Sequence, residues 1–517
     1  MHIFRTDMED QEAIPVGNST EPFWRTELHE LDSHRSTEHL PAECDVLIIG
    51  AGFAGTALAH YIYEDNPSPP SVVILEAREA CSGATGRNGK FTPTSFSHLK
   101  SLGKCSQYPI TKDLTPPLGG QLKPDVYFNI PKYIEKYGVD AAVEVANFEA
   151  SQVFAVKELV EKEKIDCDFT LTRTCDATLN EGLATATEEA FAKLVESGVA
   201  NLKDVHYTPR ARAEMVKTPY PHIVEFGKWR NADQKPQVSG VKGALSCFTF
   251  TAGHIWPYKM VMHFLKGVVQ KGANLQTHTP VTHISENPLL DGRWEVSTAR
   301  GSIKAKKVLL ATNGYTSHLA PEFKNHIVPV RGICSRIVVP QGKTAPFMSQ
   351  TYSIRHGPSM YDYLIPRNDG SIIVGGAKPT FWTDRSQWYN VFDDSKLIEP
   401  AKTYFDGLMQ RTFRGWENSG AYTDKVWTGI MGFSSDFMPY VGEVPAKPGQ
   451  FILGGFSGHG MPLILLSAKG VVQMLRHGKS FAETGIPSLF QATKERLKNT
   501  KNSIIDEHGA QHVRGKL

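Results

Sequence analysis

A glycine-rich turn between a buried strand and a helix constrains this chain more than any other sequence feature. Residues 46–49 (VLII) form a continuous apolar run, typical of a buried parallel strand. GAGFAG follows at Gly50 to Gly55, where the three glycines allow a tight turn, backbone approach to a pyrophosphate and close helix packing. A second apolar run ends at Glu76, about 20 residues further on, where a ribose hydroxyl acceptor is expected. The pattern predicts a dinucleotide-binding βαβ unit and leaves NAD and FAD both open.

Length and composition exclude several other classes of protein. A chain of 517 residues has room for two or more domains of about 100 to 200 residues. Lys and Arg total 56 against 54 Asp and Glu, without a long run of one sign, so nucleic acid is not an expected partner. The seven cysteines are scattered without a CxxC pair, which predicts reduced thiols of an intracellular protein and no metal site.

The sequence predicts a protein that is neither exported nor inserted in a membrane. Charged residues interrupt every short apolar run at the N-terminus, which does not fit a signal peptide. The uncharged stretch 46–59 is too short to span a bilayer. We therefore expect a cytoplasmic protein. The alternative is peroxisomal import, because the C-terminal sequence GKL resembles the SKL signal, with glycine in place of its small polar residue.

Outside the glycine turn, the sequence predicts a polar arm, three further helices and several strands. Residues 1–43 are polar and without period, and we expect them to lie over the surface. Residues 139–164 repeat apolar side chains at helical spacing, and WPYK at 256–259 opens a helix with proline near its first position. The stretch 170–240 gives no assignable pattern. Further strands are expected at 294–296, 308–311, 326–330 and 371–374, with a strand and helix over 451–475.

Several motifs resemble the D-amino-acid-oxidase-like family of FAD oxidoreductases, and its fungal members most of all. CSGATGRNGK at 81–90 is similar to the flavin loop of that family. WPYK at 256–259, ATNGY at 311–315, WTGIMG at 427–432 and GGFSGHGMP at 454–462 follow in the family order. The resemblance covers about residues 45–475 and implies FAD rather than NAD.

The resemblance also implies which residues hold the cofactor. Arg87, Asn88 and Gly89 would lie against the isoalloxazine and the pyrophosphate, and Val281 would contact the adenine side. Asp436 would line the region of the ribityl chain. A helix starting within residues 457–461 would point its N-terminus at the flavin, where negative charge develops on reduction. The full set of expected cofactor-binding residues is Gly50, Gly52, Phe53, Ala54, Gly55, Glu76, Ala77, Arg78, Arg87, Asn88, Gly89, Val281, Asp436, Gly455, Gly458 and Gly460.

We expect this FAD to be noncovalent. Covalent relatives such as sarcosine oxidase carry a linking cysteine in the segment that matches 358–361, where this chain has PSMY. Cys81 and Cys334 are the cysteines left as alternatives.

The expected fold class is α/β, with a discontinuous Rossmann-like FAD-binding domain and an α+β substrate domain built on an antiparallel sheet. The FAD domain would comprise 45–100, 255–325 and 430–490, and the substrate domain 101–254 and 326–429. A polar C-terminal tail would cover 491–517.

Four residues are candidates for catalysis. Lys90 replaces a glycine common in the family's GRNGG, and a cation there would stabilise superoxide as oxygen takes its first electron. A solvated or phosphate-neutralising lysine is the alternative. Arg355 suits a substrate carboxylate and Tyr361 an amine or alcohol, although both would also fit a core strand with a surface ion pair. His459, in GHG, is expected near the flavin, where it would act in catalysis or only by packing and hydrogen bonding.

These features predict a FAD-dependent oxidase with a small-molecule substrate and O2 as its partners. No second GxGxxG unit follows a strand, so electrons are expected from an organic substrate rather than NADPH. The favoured reaction oxidises a C–N bond of a small amine or amino acid, with hydrogen peroxide as product. The alternatives are oxidation of a C–OH group of a sugar or polyol, as in kojic-acid-type tailoring, or a catalytically silent flavin-binding protein. The substrate and the oligomeric state stay open.

Overall fold

Two large sheets and a set of helices form the part of the chain that the computed structural model describes, which is residues 14–88, 120–198, 202–213, 239–357 and 359–506. In chain order, the strands are β1 (Glu43–Ile49), β2 (Val72–Leu75), β3 (Thr170–Thr178), β4 (His206–Pro209), β5 (Ser246–His254), β6 (Asn274–Gln276), β7 (Val281–Ile284), β8 (Trp294–Thr298), β9 (Gly301–Leu310), β10 (Ile327–Val338), β11 (Thr351–Gly357), β12 (Met360–Pro366), β13 (Ile372–Gly375), β14 (Tyr422–Ser434), β15 (Tyr440–Glu443) and β16 (Gln450–Gly454). The helices are α1 (Phe53–Tyr63), α2 (Ile130–Tyr137), α3 (Val139–Glu163), α4 (Glu181–Ser197), α5 (Arg210–Ala213), α6 (Pro257–Gln270), α7 (Thr316–Leu319), α8 (Lys378–Phe381), α9 (Leu408–Thr412), α10 (Ile464–His477) and α11 (Lys494–Lys498).

The first sheet carries the glycine-rich turn. Its strands lie in the order β15, β16, β9, β1, β2 and β6, and the antiparallel pair β7 and β8 attaches to β9. β1 runs parallel to both β2 and β9. Val46 and Ile48 of β1 pack with helices α1, α6 and α10, whereas Leu47 and Ile49 pack with β7 and β8 on the other face. Because both faces are covered, the sequence of this strand is apolar at every position rather than at alternate ones.

The second sheet lies beside the first and is antiparallel except for one pair of strands. Its order is β14, β10, β13, β12, β11, β3, β5 and β4, and only β3 and β11 run parallel. The long strands β10 and β14 pair from Ile327 opposite Ser434 to Val338 opposite Tyr422. Polar side chains of β3, β11 and β12 lie opposite one another, with Ser353 paired to both Asp176 and Tyr363. One face of this sheet is therefore polar although it is buried.

The α/β class and the two-sheet architecture predicted from the sequence are confirmed. The first sheet takes its strands from 43–75, 274–310 and 440–454, and the second from 170–254 and 327–434. The helix predicted over 139–164 is α3, and the helix that WPYK opens is α6. Along the described ranges, none of the helices has both the length and the apolar character that a membrane crossing requires.

Two regions differ from the expectation. The residues before β1 do not all form a surface arm, because Trp24 is fully buried and its ring packs edge-on against Trp256. The stretch that gave no pattern contains β3, α4 and β4. One face of β3 buries Thr174, Asp176 and Thr178, and the other buries the small residues Cys175 and Ala177. The strand therefore lacks the large apolar side chains at alternate positions that would mark it in the sequence.

Candidate active site

A cavity opens at the carboxyl ends of β1 and β2 and extends to the polar face of the second sheet. In doubly wound folds, ligands bind at this edge of the parallel strands. The walls come from both sheets, from the loop after β2, and from the loop before α10. The lining includes Ile14, Pro15, Gly50, Gly52, Phe53, Ala54, Glu76, Ala77, Arg78, Thr85, Arg87, Asn88, Gln121, Val281, Asn313, Cys334, Tyr363, Gly458, His459, Gly460 and Met461.

Glycine occupies the three positions of the turn for different structural reasons. Gly50 has a φ of +109°, and a Cβ there would lie 2.7 Å from the carbonyl oxygen of Ala311. Gly55 does not line the cavity, but a Cβ there would lie 1.9 Å from the carbonyl oxygen of Gly50. At Gly52, which does line the cavity, a Cβ would meet only Thr85 Oγ1, at 3.3 Å. Gly50 and Gly55 therefore allow close approach of other backbone atoms, while Gly52 leaves space for a ligand.

Glu76 lies at one end of the cavity with Ala77 and Val281. Its Oε2 accepts a hydrogen bond from the Ala51 N–H at 2.8 Å, and its Oε1 accepts one from the Arg78 N–H at 3.1 Å. The carboxylate thus fixes the glycine turn to the end of β2. Each carboxylate oxygen can accept a further bond, so the expected role toward a ribose is compatible with these contacts.

Arg78 and Arg87 line the cavity, but their guanidinium groups bind protein. Arg78 forms a two-pronged pair with the buried carboxylate of Asp394, at 2.9 and 3.1 Å. Arg87 donates to the carbonyl oxygens of Ser82 at 2.7 Å, Thr20 at 2.6 Å and Thr428 at 2.9 Å. Burial lowers the pKa of Arg87 to about 10, although the nearby Asp394 carboxylate acts in the opposite direction. The donors of Arg87 are used to hold its loop, while its position in the cavity lining leaves the expected contact with a flavin a prediction.

The other end of the cavity meets the polar face of the second sheet. The phenol of Tyr363 lies 3.2 Å from Cys334 Sγ, and both residues line the cavity. Burial raises the pKa of the Cys334 thiol to about 12. Gln121 lies at the same end, and its Nε2 donates to Thr351 Oγ1 at 2.9 Å. This end therefore presents neutral hydrogen-bonding groups close to a protonated thiol.

His459 belongs to the cavity wall and is paired with a buried carboxylate. Its Nε2 lies 2.5 Å from Glu149 Oε2, and this oxygen also accepts from the Asp125 N–H at 2.6 Å. The side chains of His459 and Glu149 are only 9% and 3% exposed. Because a carboxylate oxygen accepts, the ring nitrogen that faces it carries the proton, so Glu149 orients the imidazole. The loop of His459 precedes α10, which begins at Ile464 rather than within 457–461 as expected.

Besides Gly55, four of the expected residues lie away from the lining of the cavity, each with a reason in the structure. Arg355 is buried against Asp176, with Nη2 to Oδ2 at 2.9 Å, and Tyr361 lies beside it. Asp436 forms a two-pronged pair with Arg496. Gly455 donates its N–H to the Asn313 side chain and packs against Ile327. Lys90 and Gly89 lie outside the described residues.

Asp176 is the centre of a buried charged cluster that the sequence did not reveal. Its two oxygens face Lys123 Nζ at 2.5 Å and Arg355, and the Tyr127 hydroxyl donates to it at 3.0 Å. Burial alone would raise the pKa of this carboxyl, but the two cations outweigh it and hold the pKa well below the usual range. Arg355 thus has an internal partner within the protein.

Three more residues of the site were not predicted from the sequence: Glu149, Gln121 and Asp394. Glu149 lies on the apolar stripe of α3, between Val145 and Val153. A glutamate within such a stripe was the available signal, because a buried carboxylate requires a partner. Gln121 and Asp394 lie in irregular segments and carry no comparable signal.

The cavity fits a ligand with both phosphates and a polar ring system. The space at Gly52 would admit a phosphate near the start of α1, where the helix dipole favours negative charge. The oxygens Asn88 Oδ1 and Gln121 Oε1 are buried and lack hydrogen-bond partners within the described ranges. Both residues line the cavity, so a bound molecule with N–H or O–H donors would satisfy them.

A nucleotide-binding turn, a second sheet with a polar face and a cavity between the two sheets are the features of a dinucleotide-dependent enzyme. Residues 45–474 match the family model described as DAO, FAD dependent oxidoreductase, and the chain belongs to that family. It is a FAD-dependent oxidoreductase, as the motifs predicted.

The relatives agree with this assignment. The chain is 22% identical to the protein named probable oxidoreductase OrdL of Haemophilus influenzae over 83% of this chain and 82% of that protein. It is also 22% identical to gamma-glutamylputrescine oxidoreductase of Escherichia coli over 84% of each chain. The crystal structure of glycine oxidase from Geobacillus kaustophilus superposes with a TM-score of 0.62 at 17% identity, over 88% of this chain and 99% of that one.

Proposed function

We propose that this protein oxidises a C–N bond of a small amine or amino acid and passes the electrons to O2. The observation that carries the proposal is a cavity lining that contains Tyr363, Gln121 and His459, with the imidazole of His459 held by Glu149. The names of the relatives, gamma-glutamylputrescine oxidoreductase and glycine oxidase, support the same substrate class. FAD bound in this cavity would supply the two-electron acceptor for the C–H bond.

The protein's own groups would position the substrate and manage its proton. Loss of a hydride equivalent from the carbon next to a neutral amine nitrogen leaves an iminium ion, which is the protonated imine. A substrate that enters as an ammonium ion must therefore lose one proton from nitrogen before the hydride leaves. His459 would accept that proton, and the pairing with Glu149 that fixes its ring supports this role. Gln121 Oε1 is placed to accept a hydrogen bond from the substrate nitrogen. Water then hydrolyses the imine to a carbonyl compound and an amine, while O2 becomes hydrogen peroxide.

We assign Lys90 a role in the second half of the reaction, in which O2 takes the electrons. Its role remains a prediction from the sequence, since the residue lies outside the described part of the chain. An ammonium group near the cofactor would stabilise the superoxide formed when O2 takes its first electron.

The attachment of FAD is proposed to be noncovalent. Among the described cysteines, Cys334 is the one that lines the cavity, and its raised pKa keeps it a thiol rather than the reactive thiolate. Acid precipitation of the protein should leave the yellow colour in the supernatant. Colour retained in the pellet would contradict the proposal.

A substrate panel tests the reaction class. Purified protein would be mixed in air with secondary amines, amino acids, sugars and polyols, and hydrogen peroxide would be measured. Each compound would also be tested anaerobically for bleaching of the flavin absorbance. Peroxide from amines or amino acids is expected. Bleaching by sugars or polyols alone would replace the proposal with C–OH oxidation, and no bleaching by any compound would favour a flavoprotein without catalysis. Bleaching by an amine without peroxide would contradict the use of O2.

A further inference from the structure

Residues 14–32 precede the part of the chain that matches the family model, yet they reach the cavity. We propose that these residues, which we call the N-terminal belt, are part of the cofactor site and slow the release of FAD. The inference goes beyond the proposed reaction, because it concerns retention of the cofactor and not the substrate.

The beginning of the belt contributes directly to the cavity. Ile14 and Pro15 belong to the lining, together with Arg78 and Arg87 from the loop after β2. The Arg78 guanidinium donates to the carbonyl oxygen of Val16 at 2.9 Å while it holds the Asp394 carboxylate. The entry of the belt is therefore fixed to a residue that walls the cavity.

The middle of the belt fastens the far end of the same loop. Arg87 donates to the carbonyl oxygen of Thr20 at 2.6 Å and also contacts the Ser19 hydroxyl. The Thr20 N–H donates to the Asp394 carbonyl oxygen at 2.9 Å, and Thr20 Oγ1 accepts from the Thr428 N–H at 3.0 Å. The belt thus joins the cofactor loop to the second sheet at a point with little access to solvent.

The last part of the belt inserts three side chains into the core, which are Phe23, Trp24 and Leu31. Trp24 has no exposed surface, and its Nε1–H donates to the carbonyl oxygen of Asn88 at 2.7 Å. Asp32 accepts from the Ala80 N–H through its carbonyl oxygen at 2.8 Å and from the Tyr258 hydroxyl through its carboxylate at 2.7 Å. Residues 78, 80, 87 and 88 of the loop are therefore all bound to the belt.

These contacts bear on the rate at which a ligand leaves. A ligand walled by a loop can leave only when that loop or its cover moves, so each contact that must break adds to the dissociation barrier. Preorganising the loop also lowers the entropy lost on binding. Weakening the belt should therefore raise the dissociation rate of FAD without changing any residue in the lining.

Trp24→Phe tests the belt with a matched control. The substitution keeps an aromatic ring and removes the hydrogen bond to Asn88, which borders the cavity. Trp294→Phe removes an equivalent bond, from Trp294 Nε1–H to the Pro448 carbonyl oxygen at 3.1 Å, in the separate core behind the first sheet. Release of FAD from the holoenzyme would be followed by flavin fluorescence after dilution. One lost hydrogen bond corresponds to a rate increase of about fivefold to tenfold for Trp24→Phe. Trp294→Phe should release FAD at the parent rate.

Equal release rates for the two variants and the parent protein would overturn the proposal. If Trp24→Phe does not yield folded protein, hydrogen exchange of the parent protein decides the question. Amides of the belt should exchange more slowly in the holoenzyme than after removal of FAD, and unchanged protection there would also overturn it. Neither measurement depends on turnover, so failure of the proposed reaction would leave these results interpretable.

Discussion

Replacing Gly52 by alanine tests whether this glycine is needed to leave space for the ligand or to allow the turn to fold. A Cβ at this position meets only Thr85 Oγ1, at 3.3 Å, a contact that a small shift of the side chain relieves. The new methyl group would stand in the cavity beside the start of α1. A bound pyrophosphate would approach the backbone at this point.

The expected result is a loss of FAD affinity with little change in the stability of the protein without cofactor. Overpacking a close contact costs about 1 to 3 kcal/mol, which is about a fivefold to 150-fold rise in the dissociation constant. The melting temperature of the apoprotein should shift by no more than about 2 °C, because the free protein can accommodate the methyl group. Titration of apoprotein with FAD, followed by fluorescence, gives the first quantity, and thermal unfolding gives the second.

Two further glycine variants serve as controls. Gly55→Ala places a Cβ 1.9 Å from the Gly50 carbonyl oxygen, so it should destabilise the fold itself. Gly267→Ala lies in α6 with no atom within 4 Å of its Cβ, and it should leave FAD affinity unchanged. If Gly52→Ala binds FAD as tightly as the parent protein, the glycine turn does not carry the pyrophosphate and the assignment of this end of the cavity fails.

Three other predictions follow from the charged groups. Glu149→Gln should lower kcat about tenfold to a hundredfold with the flavin spectrum unchanged, and it should move the acid limb of the pH profile to lower pH. The control Glu144→Gln, on the same helix, should change neither kcat nor the pH profile. Equal effects of the two substitutions would refute the positioning role of Glu149. Asp176→Asn should destabilise the protein by about 3 to 5 kcal/mol in denaturant unfolding, because two buried cations lose their partner. Since the pKa of Asp176 is held low, its stabilising contribution should persist at neutral pH and fall progressively below about pH 4; an unfolding free energy flat through that range would contradict this. Lys90→Met should leave substrate-driven reduction nearly unchanged and slow reoxidation in air at least about tenfold, and equal reoxidation rates in stopped flow would return Lys90 to a solvated role.

The features that sequence reasoning could predict are those with a short-range physical cause. The strand from Val46 to Ile49 can be recognised in the sequence because burial on both faces restricts it to apolar residues. The turn can be recognised because the positive φ at Gly50 favours glycine. Helix α3 is readable for the same reason, since its buried residues recur at helical spacing. Short-range features could not predict which cofactor binds, because the glycine turn alone fits both NAD and FAD. Only the motifs spread along the chain favoured FAD over NAD.

The partners of charged groups could not be predicted, because they lie far apart in the sequence. Arg355 suited a substrate carboxylate until the structure placed Asp176, 179 positions away, against it. Asp436 suited a ribityl contact but lies against Arg496. A single sequence shows which side chains carry charge, whereas only the fold shows which charges are already neutralised within the protein.

The same distinction decides how this site would hold an anionic cofactor. Among the described residues that line the cavity, the arginines are Arg78 and Arg87, and both are bound to the buried carboxylate of Asp394. Their joint charge is reduced by that pairing, and their donors are spent on the N-terminal belt and on the second sheet. Attraction of a pyrophosphate would therefore rest mainly on the backbone N–H groups and the dipole at the start of α1, while the two arginines hold the loop that encloses it. The guanidinium groups would then shape the cavity, while the glycine turn would supply the affinity for the phosphates.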